Sequence, residues 1–138
     1  MVDVTTTYDP HHPHYLDDAD LRGELTRVYD VCHGCRRCVQ LCSVFPSLFE
    51  LIDRHDEQDA ATLTRGEQDR VVDECFQCKL CYVNCPYIPG QSEWAIDFPR
   101  LMLRAGATRH ADSEVGRRRR LTTNVMARTD LVGALGSR

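Results

Sequence analysis

The sequence predicts a small all-α fold in which short helices wrap two cysteine-rich loops. Three observations carry that expectation. Apolar residues recur at helical spacing before, between and after the cysteines. No stretch shows the period-two alternation of a half-buried strand. The 32 residues between Cys42 and Cys75 read as helix, loop and helix.

The elements follow in order. Residues 1–16 are polar, contain Pro10 and Pro13, and read as a flexible N-terminal arm. His11, His12 and His14 lie in it and are expected to be solvated, since no ordered frame holds their rings as metal ligands. Asp17 or Asp18 can cap a first helix, where Leu21, Leu25, Val28 and Tyr29 share a face. That helix is expected to end at the first cysteine loop. After Cys42, Phe45, Leu48, Phe49 and Ile52 mark an amphipathic helix with Pro46 in its first turn. Residues 55–63 read as a loop. Thr64 and Glu67 have the spacing of a capping box, which opens a helix through Val71 and Val72 toward Cys75. Pro89-Gly90 marks a turn. Pro99 suits the first turn of a helix that continues through Leu101, Met102 and Leu103, and Trp94, Phe98 and those residues are expected to form a lid on the core. The domain is expected to span 17–110. Residues 111–138 read as a basic amphipathic helical extension and a linker to further modules, with Arg117–Arg120 a solvated helix face.

Composition bounds the function. A chain of 138 residues leaves room for one domain. Hydrophobic residues make up 42% but aromatic ones only 7%, so the apolar core is modest and needs help. Mean hydropathy is −0.42, and no stretch approaches the roughly 20 apolar residues of a membrane span. The net charge of −4 argues against a nucleic-acid binder. The charge is uneven, net −8 over residues 1–92 and net +4 over 93–138. The N-terminus has no basic start followed by an apolar run, so no secretory signal is read and the cytoplasm is the expected compartment. Structural disulfides are rare there.

The cysteines carry the chemistry. Cys32, Cys35, Cys38 and Cys42 form one C-x2-C-x2-C-x3-C group, and Cys75, Cys78, Cys81 and Cys85 form a second. Zinc sites usually set two distant C-x2-C turns against each other. Three thiols at steps of three in one short loop suit instead one corner of a cubane, with the fourth cysteine reaching the other cluster. The spacing therefore predicts two [4Fe–4S] clusters. One takes Cys32, Cys35, Cys38 and Cys85, and the other takes Cys75, Cys78, Cys81 and Cys42. Pro86 follows Cys85 and turns the chain away, whereas Ser43 follows Cys42. With helices between and around the motifs, the fold reads as an α-helical ferredoxin whose clusters supply its centre. The alternative is a zinc-stabilised adaptor that docks a protein partner through residues 93–138.

The flanking residues add a resemblance. DLRGELTRVYDVCHGCRRCVQLCSVFPSLFELID, VVDECFQCKLCYVNCPY and WAIDFPRLMLRA are similar to the N-terminal helical ferredoxin domain of heterodisulfide-reductase-type iron–sulfur oxidoreductases, a family that includes the iron–sulfur component of anaerobic glycerol-3-phosphate dehydrogenase. The resemblance spans roughly residues 8–135. It implies electron transfer between a flavin-type dehydrogenase and a membrane quinone-reducing component, at the inner face of the membrane. Members of that family continue into further cysteine-rich modules. This sequence has no cysteine after Cys85, and reads as a truncated member or a stand-alone carrier.

Nothing in the sequence supports catalysis by the chain itself. It has no Gly-rich nucleotide loop and no nucleophile–base arrangement. An electron-transfer module with redox partner proteins is the expectation. Arg36, Arg37 and Lys79 lie inside the loops and would stabilise a reduced cluster. His33 and Tyr82 are expected to pack or face water rather than ligate.

Overall fold

The computed structural model describes residues 8–112, 117–128 and 133–134. Six helices account for most of them: α1 (Asp18–Cys35), α2 (Val44–Asp53), α3 (Arg65–Asp73), α4 (Leu80–Asn84), α5 (Phe98–Asp112) and α6 (Arg117–Ala127). A 3₁₀ turn, Ala60–Thr62, separates α2 from α3. Among the described residues there is no strand, and the fold is all-α as the sequence predicts.

Local chemistry sets the helix ends. Asp17 is the N-cap of α1, its carboxylate accepting from the Asp20 N–H at 2.8 Å. Thr64 and Glu67 close the expected capping box on α3, each side chain accepting from the other's backbone N–H. Asp97 plays the N-terminal role for α5, its carboxylate accepting from the Arg100 N–H at 3.1 Å.

The core lies where α1, α2, α3 and α5 meet. Leu21, Leu25, Val28 and Tyr29 of α1 pack with Phe45, Leu48 and Ile52 of α2, Val71 of α3, and Phe98 and Leu101 of α5. Phe45 and Phe98 stand 5.0 Å apart between ring centroids, at the side of the core nearest the cysteines. Arg22 ties α1 to α3, reaching Asp69 at 2.7 Å and the Gln68 side chain at 3.2 Å.

Two expectations need revising. Residues 8–17 are not a free arm. They run as successive turns against the body, anchored by Tyr8, whose hydroxyl donates to Glu24 at 3.0 Å, and by backbone carbonyls taken up by Arg104. Burial and then the Glu24 charge push the Tyr8 hydroxyl well above the ordinary tyrosine range. Of the arm, residues 1–7 lie outside the described ones. The lid is also divided. Phe98, Leu101 and Met102 are buried, whereas Trp94 and Leu103 are about half exposed, since the turn before α5 and the outer side of α5 carry them away from the core. In the C-terminal extension, α6 matches the expected helix and exposes Leu121 and Val125. The side chains of Arg117–Arg120, and Val115, Leu131, Val132 and Leu135, lie outside the described residues.

Candidate metal centre

The last turn of α1 delivers the first two cysteines. Cys32 and Cys35 are three apart on the helix and share a face. The helix stops at Arg36, which takes a left-handed conformation (φ 51°, ψ 10°) and donates its N–H to the Cys32 carbonyl at 2.8 Å. Two tight turns then carry the chain through Cys38 and past Leu41 to Cys42.

The second loop repeats the device. Lys79 also follows its motif's second cysteine, and is also left-handed (φ 63°, ψ 6°). The reversal turns the chain into α4, which carries Cys81. Gln77 is left-handed as well. Its side-chain amide donates to the Cys75 sulfur at 3.7 Å and to the Pro99 carbonyl at 3.1 Å, which ties the loop to the start of α5.

Five of the eight thiols line two neighbouring cavities. One cavity, with about 320 Å³ of empty space partly open to solvent, is lined by Cys32, Cys35, Cys38 and Cys85. Val31, Phe45, Tyr87 and Ile96 form its apolar wall, and Arg37 is its one basic side chain. The Tyr87 N–H donates to the Cys85 sulfur at 3.4 Å. A second cavity beside it brings Cys81 against Cys32, Cys38 and Cys85, backed by Phe45, Ile96 and Phe98. The charges acting on Cys75 are those of Cys42 and Cys78. Those acting on Cys81 come from Cys38, Cys75, Cys42 and Cys78. Cys35 and Cys78 are the exposed members, one in each loop.

Electrostatics make the thiols poor neighbours without metal. Burial, then the charges of nearby cysteines, pushes the Cys32 thiol far above its ordinary value. The same causes push Cys38 up to about 11 and Cys81 up to about 12. Burial also raises Cys75 and Cys85, opposed by the backbone N–H groups of Gln77 and Tyr87. Crowded thiols in an apolar setting suit iron–sulfur clusters, whose cationic iron offsets the thiolate charge. Among the described residues, no three or more His, Cys, Asp or Glu side chains close tightly enough for a single metal ion. Cys32, Cys35, Cys38 and Cys85 stand around a space rather than converging on a point.

The remaining loop residues divide. Arg36 turns away to Asp53, at 2.6 Å, with its guanidinium 5.2 Å from the centre of the Phe49 ring. His33 meets the same carboxylate at 2.8 Å. Hydrogen bonds from His33 and then Arg36 hold the Asp53 carboxyl below the usual range. Arg37 stays at the first cavity, and Lys79 and Tyr82 line a groove against α5. His11 and His14 are exposed, and the rings of His12 and His14 lie 5.5 Å apart. Sequence reasoning missed the sulfur contacts of Gln77 and Tyr87, although each lies two residues beyond the cysteine it touches.

Residues 31–88 match the family model of the 4Fe-4S dicluster domain, a stretch that begins just before Cys32 and ends just after Cys85. No curated protein and no solved structure matches the chain. The match implies an iron–sulfur domain of ferredoxin type with two [4Fe–4S] clusters as cofactors, and the eight cysteines are present to hold them.

Proposed function

We propose that this ferredoxin-type iron–sulfur domain is an electron-transfer module of a larger oxidoreductase. In this reading Cys32, Cys35, Cys38 and Cys85 hold one cluster, and Cys42, Cys75, Cys78 and Cys81 hold the other. One observation carries the assignment. Three cysteines of the first motif and the last cysteine of the second line a single cavity.

When bound, each cluster stores one electron. The chain's own residues hold and tune it. Cys32 and Cys35 are carried by α1, and Cys81 by α4. The Tyr87 N–H and the Gln77 amide donate to cysteine sulfurs, and favour the more negative, reduced state. Arg37 acts in the same direction from the first cavity wall. Phe45, Ile96 and Phe98 fill the space between the groups and keep water from it. The exposed Cys35 and Cys78 mark where electrons enter and leave.

The resemblance of the flanking segments to heterodisulfide-reductase-type oxidoreductases supports a donor of the flavin-dehydrogenase type and a quinone-reducing acceptor. The module would then work from the cytoplasmic side, peripheral to the membrane. Among the described residues, no helix is long and apolar enough to cross it.

Paired cysteine variants test the ligand sets. Cys85→Ser should lower iron and sulfide from about eight to about four per chain, the loss of one cubane. Adding Cys32→Ser should remove nothing more, because both residues serve one cluster. Adding Cys78→Ser instead should remove the second cluster. The reverse pattern would overturn the assignment.

A further inference from the structure

We infer that the outer face of the second cysteine loop, with the groove beside it, docks a redox protein presenting an apolar patch rimmed by carboxylates. This deepens the reading of the chain as an electron carrier and rests on it.

The two cysteine loops share one spacing but present different faces. The first shows His33, Arg36, Arg37 and Gln40 between its cysteines, with His33 and Arg36 engaged by Asp53 and Val39, 41% exposed, as its large exposed apolar side chain. The second shows Phe76, Leu80 and Val83, which are 83%, 47% and 79% exposed. Leu80 and Val83 are three apart on α4 and share a side. Phe76 lies two residues before Cys78, the exposed thiol of this loop. Three exposed apolar side chains thus flank Cys78 along the loop and α4. Apolar residues grouped on a surface mark interaction sites, whereas scattered ones do not.

Charge identifies the occupant. Lys79 lies within the patch, and among the described residues no ion pair engages it. Lys79 and Tyr82 continue into a groove lined also by Pro99, Arg100 and Leu103. The Arg100 side chain is 67% exposed and pairs at 3.5 Å with Asp97, the groove's buried carboxylate, which also accepts from the Arg100 N–H at the start of α5. The face therefore offers Lys79 with no ion pair beside an Arg100 side chain that is largely exposed, while the groove's own carboxylate is buried. A partner with an apolar centre and an acidic rim is complementary in both respects. A second copy of this chain is a poorer match, since a two-fold contact centred on this face would bring two copies of its cations together.

The test uses the cluster-loaded chain, purified without oxygen, reduced with dithionite and reoxidised in a stopped-flow instrument. Flavodoxin, an acidic flavoprotein, is the protein probe, and ferricyanide the small one. Phe76→Ser and Val83→Ser should each slow reoxidation by flavodoxin about tenfold, the loss expected when an apolar anchor leaves an interface. Both variants should keep wild-type iron, sulfide and ferricyanide rates. Lys79→Ala should flatten the salt dependence of the flavodoxin rate. Equal flavodoxin rates in fully loaded wild type and both serine variants overturn the docking face alone. Binding of the wild type to phosphatidylcholine vesicles, lost in Val83→Ser, overturns it in favour of a lipid surface. Wild-type protein that holds no iron, or that dithionite does not reduce, overturns the carrier reading and the docking face with it.

Discussion

The guanidinium of Arg104 is wholly buried in α5 and donates to the backbone carbonyl of Tyr15 at 2.7 Å. It also reaches the His14 carbonyl and the Asp20 carboxylate, each at 2.6 Å, and lies over the Tyr15 ring. One side chain thereby pins residues 14 and 15 to the body and satisfies carbonyls that would otherwise be stranded. Arg104→Met keeps the apolar stem and removes the donors. It should cost about 1.5–3 kcal/mol, the range for hydrogen bonds to a charged group. Denaturant unfolding measures the loss. Limited proteolysis should place the first new cut within residues 8–17.

The capping box on α3 gives a smaller, cleaner effect. Thr64→Ala removes the acceptor for the Glu67 N–H and should cost about 1 kcal/mol. Thr64→Ser should restore most of it. Unfolding midpoints of the three proteins decide the matter.

Left-handed backbone at Lys79 makes a prediction that separates side-chain size from charge. A β-branched residue is poorly tolerated there, and Lys79→Val should cost about 1–2 kcal/mol. Lys79→Gly should unfold no earlier than wild type, because glycine takes that conformation without strain. Unfolding of the loaded protein under anaerobic conditions is the measurement.

The thiols set an alkaline limit for the metal-free chain. Cys38 and Cys81 titrate near 11 and 12 in the fold, against an ordinary value of 9.0. Groups raised in this way support the fold fully below their ordinary value, and that support is lost as pH climbs toward the raised ones. Helix content of the reduced, iron-free chain should therefore fall as pH rises above 9. The loaded protein should not follow, since its thiolates are already ionised on iron. Circular dichroism across that range checks both.

What was legible in the sequence was what depends on neighbours. Asp17 caps α1, and Thr64 with Glu67 caps α3, because each cap joins residues three apart. The cysteine spacing pointed to iron–sulfur chemistry for the same reason. Contacts across the fold were hidden. Residues 8–16 read as part of an arm because Arg104, their anchor, is 89 residues away from Tyr15. A signal was present: Leu101, Arg104, Ala105 and Thr108 share one helix face, so a cation lay on the stripe due for burial. Trp94 was misplaced because hydrophobicity says that an aromatic prefers burial, not which one the turns leave outside.

The exposure of Cys35 and Cys78 sets a hazard alongside its benefit. A sulfur open enough to pass an electron is open to dioxygen and peroxide, and thiolate oxidation follows exposure. In air, damage should begin at these two positions and spread inward. Cover over Cys78, such as a bound redox partner would supply, would then act as a shield as well as a wire.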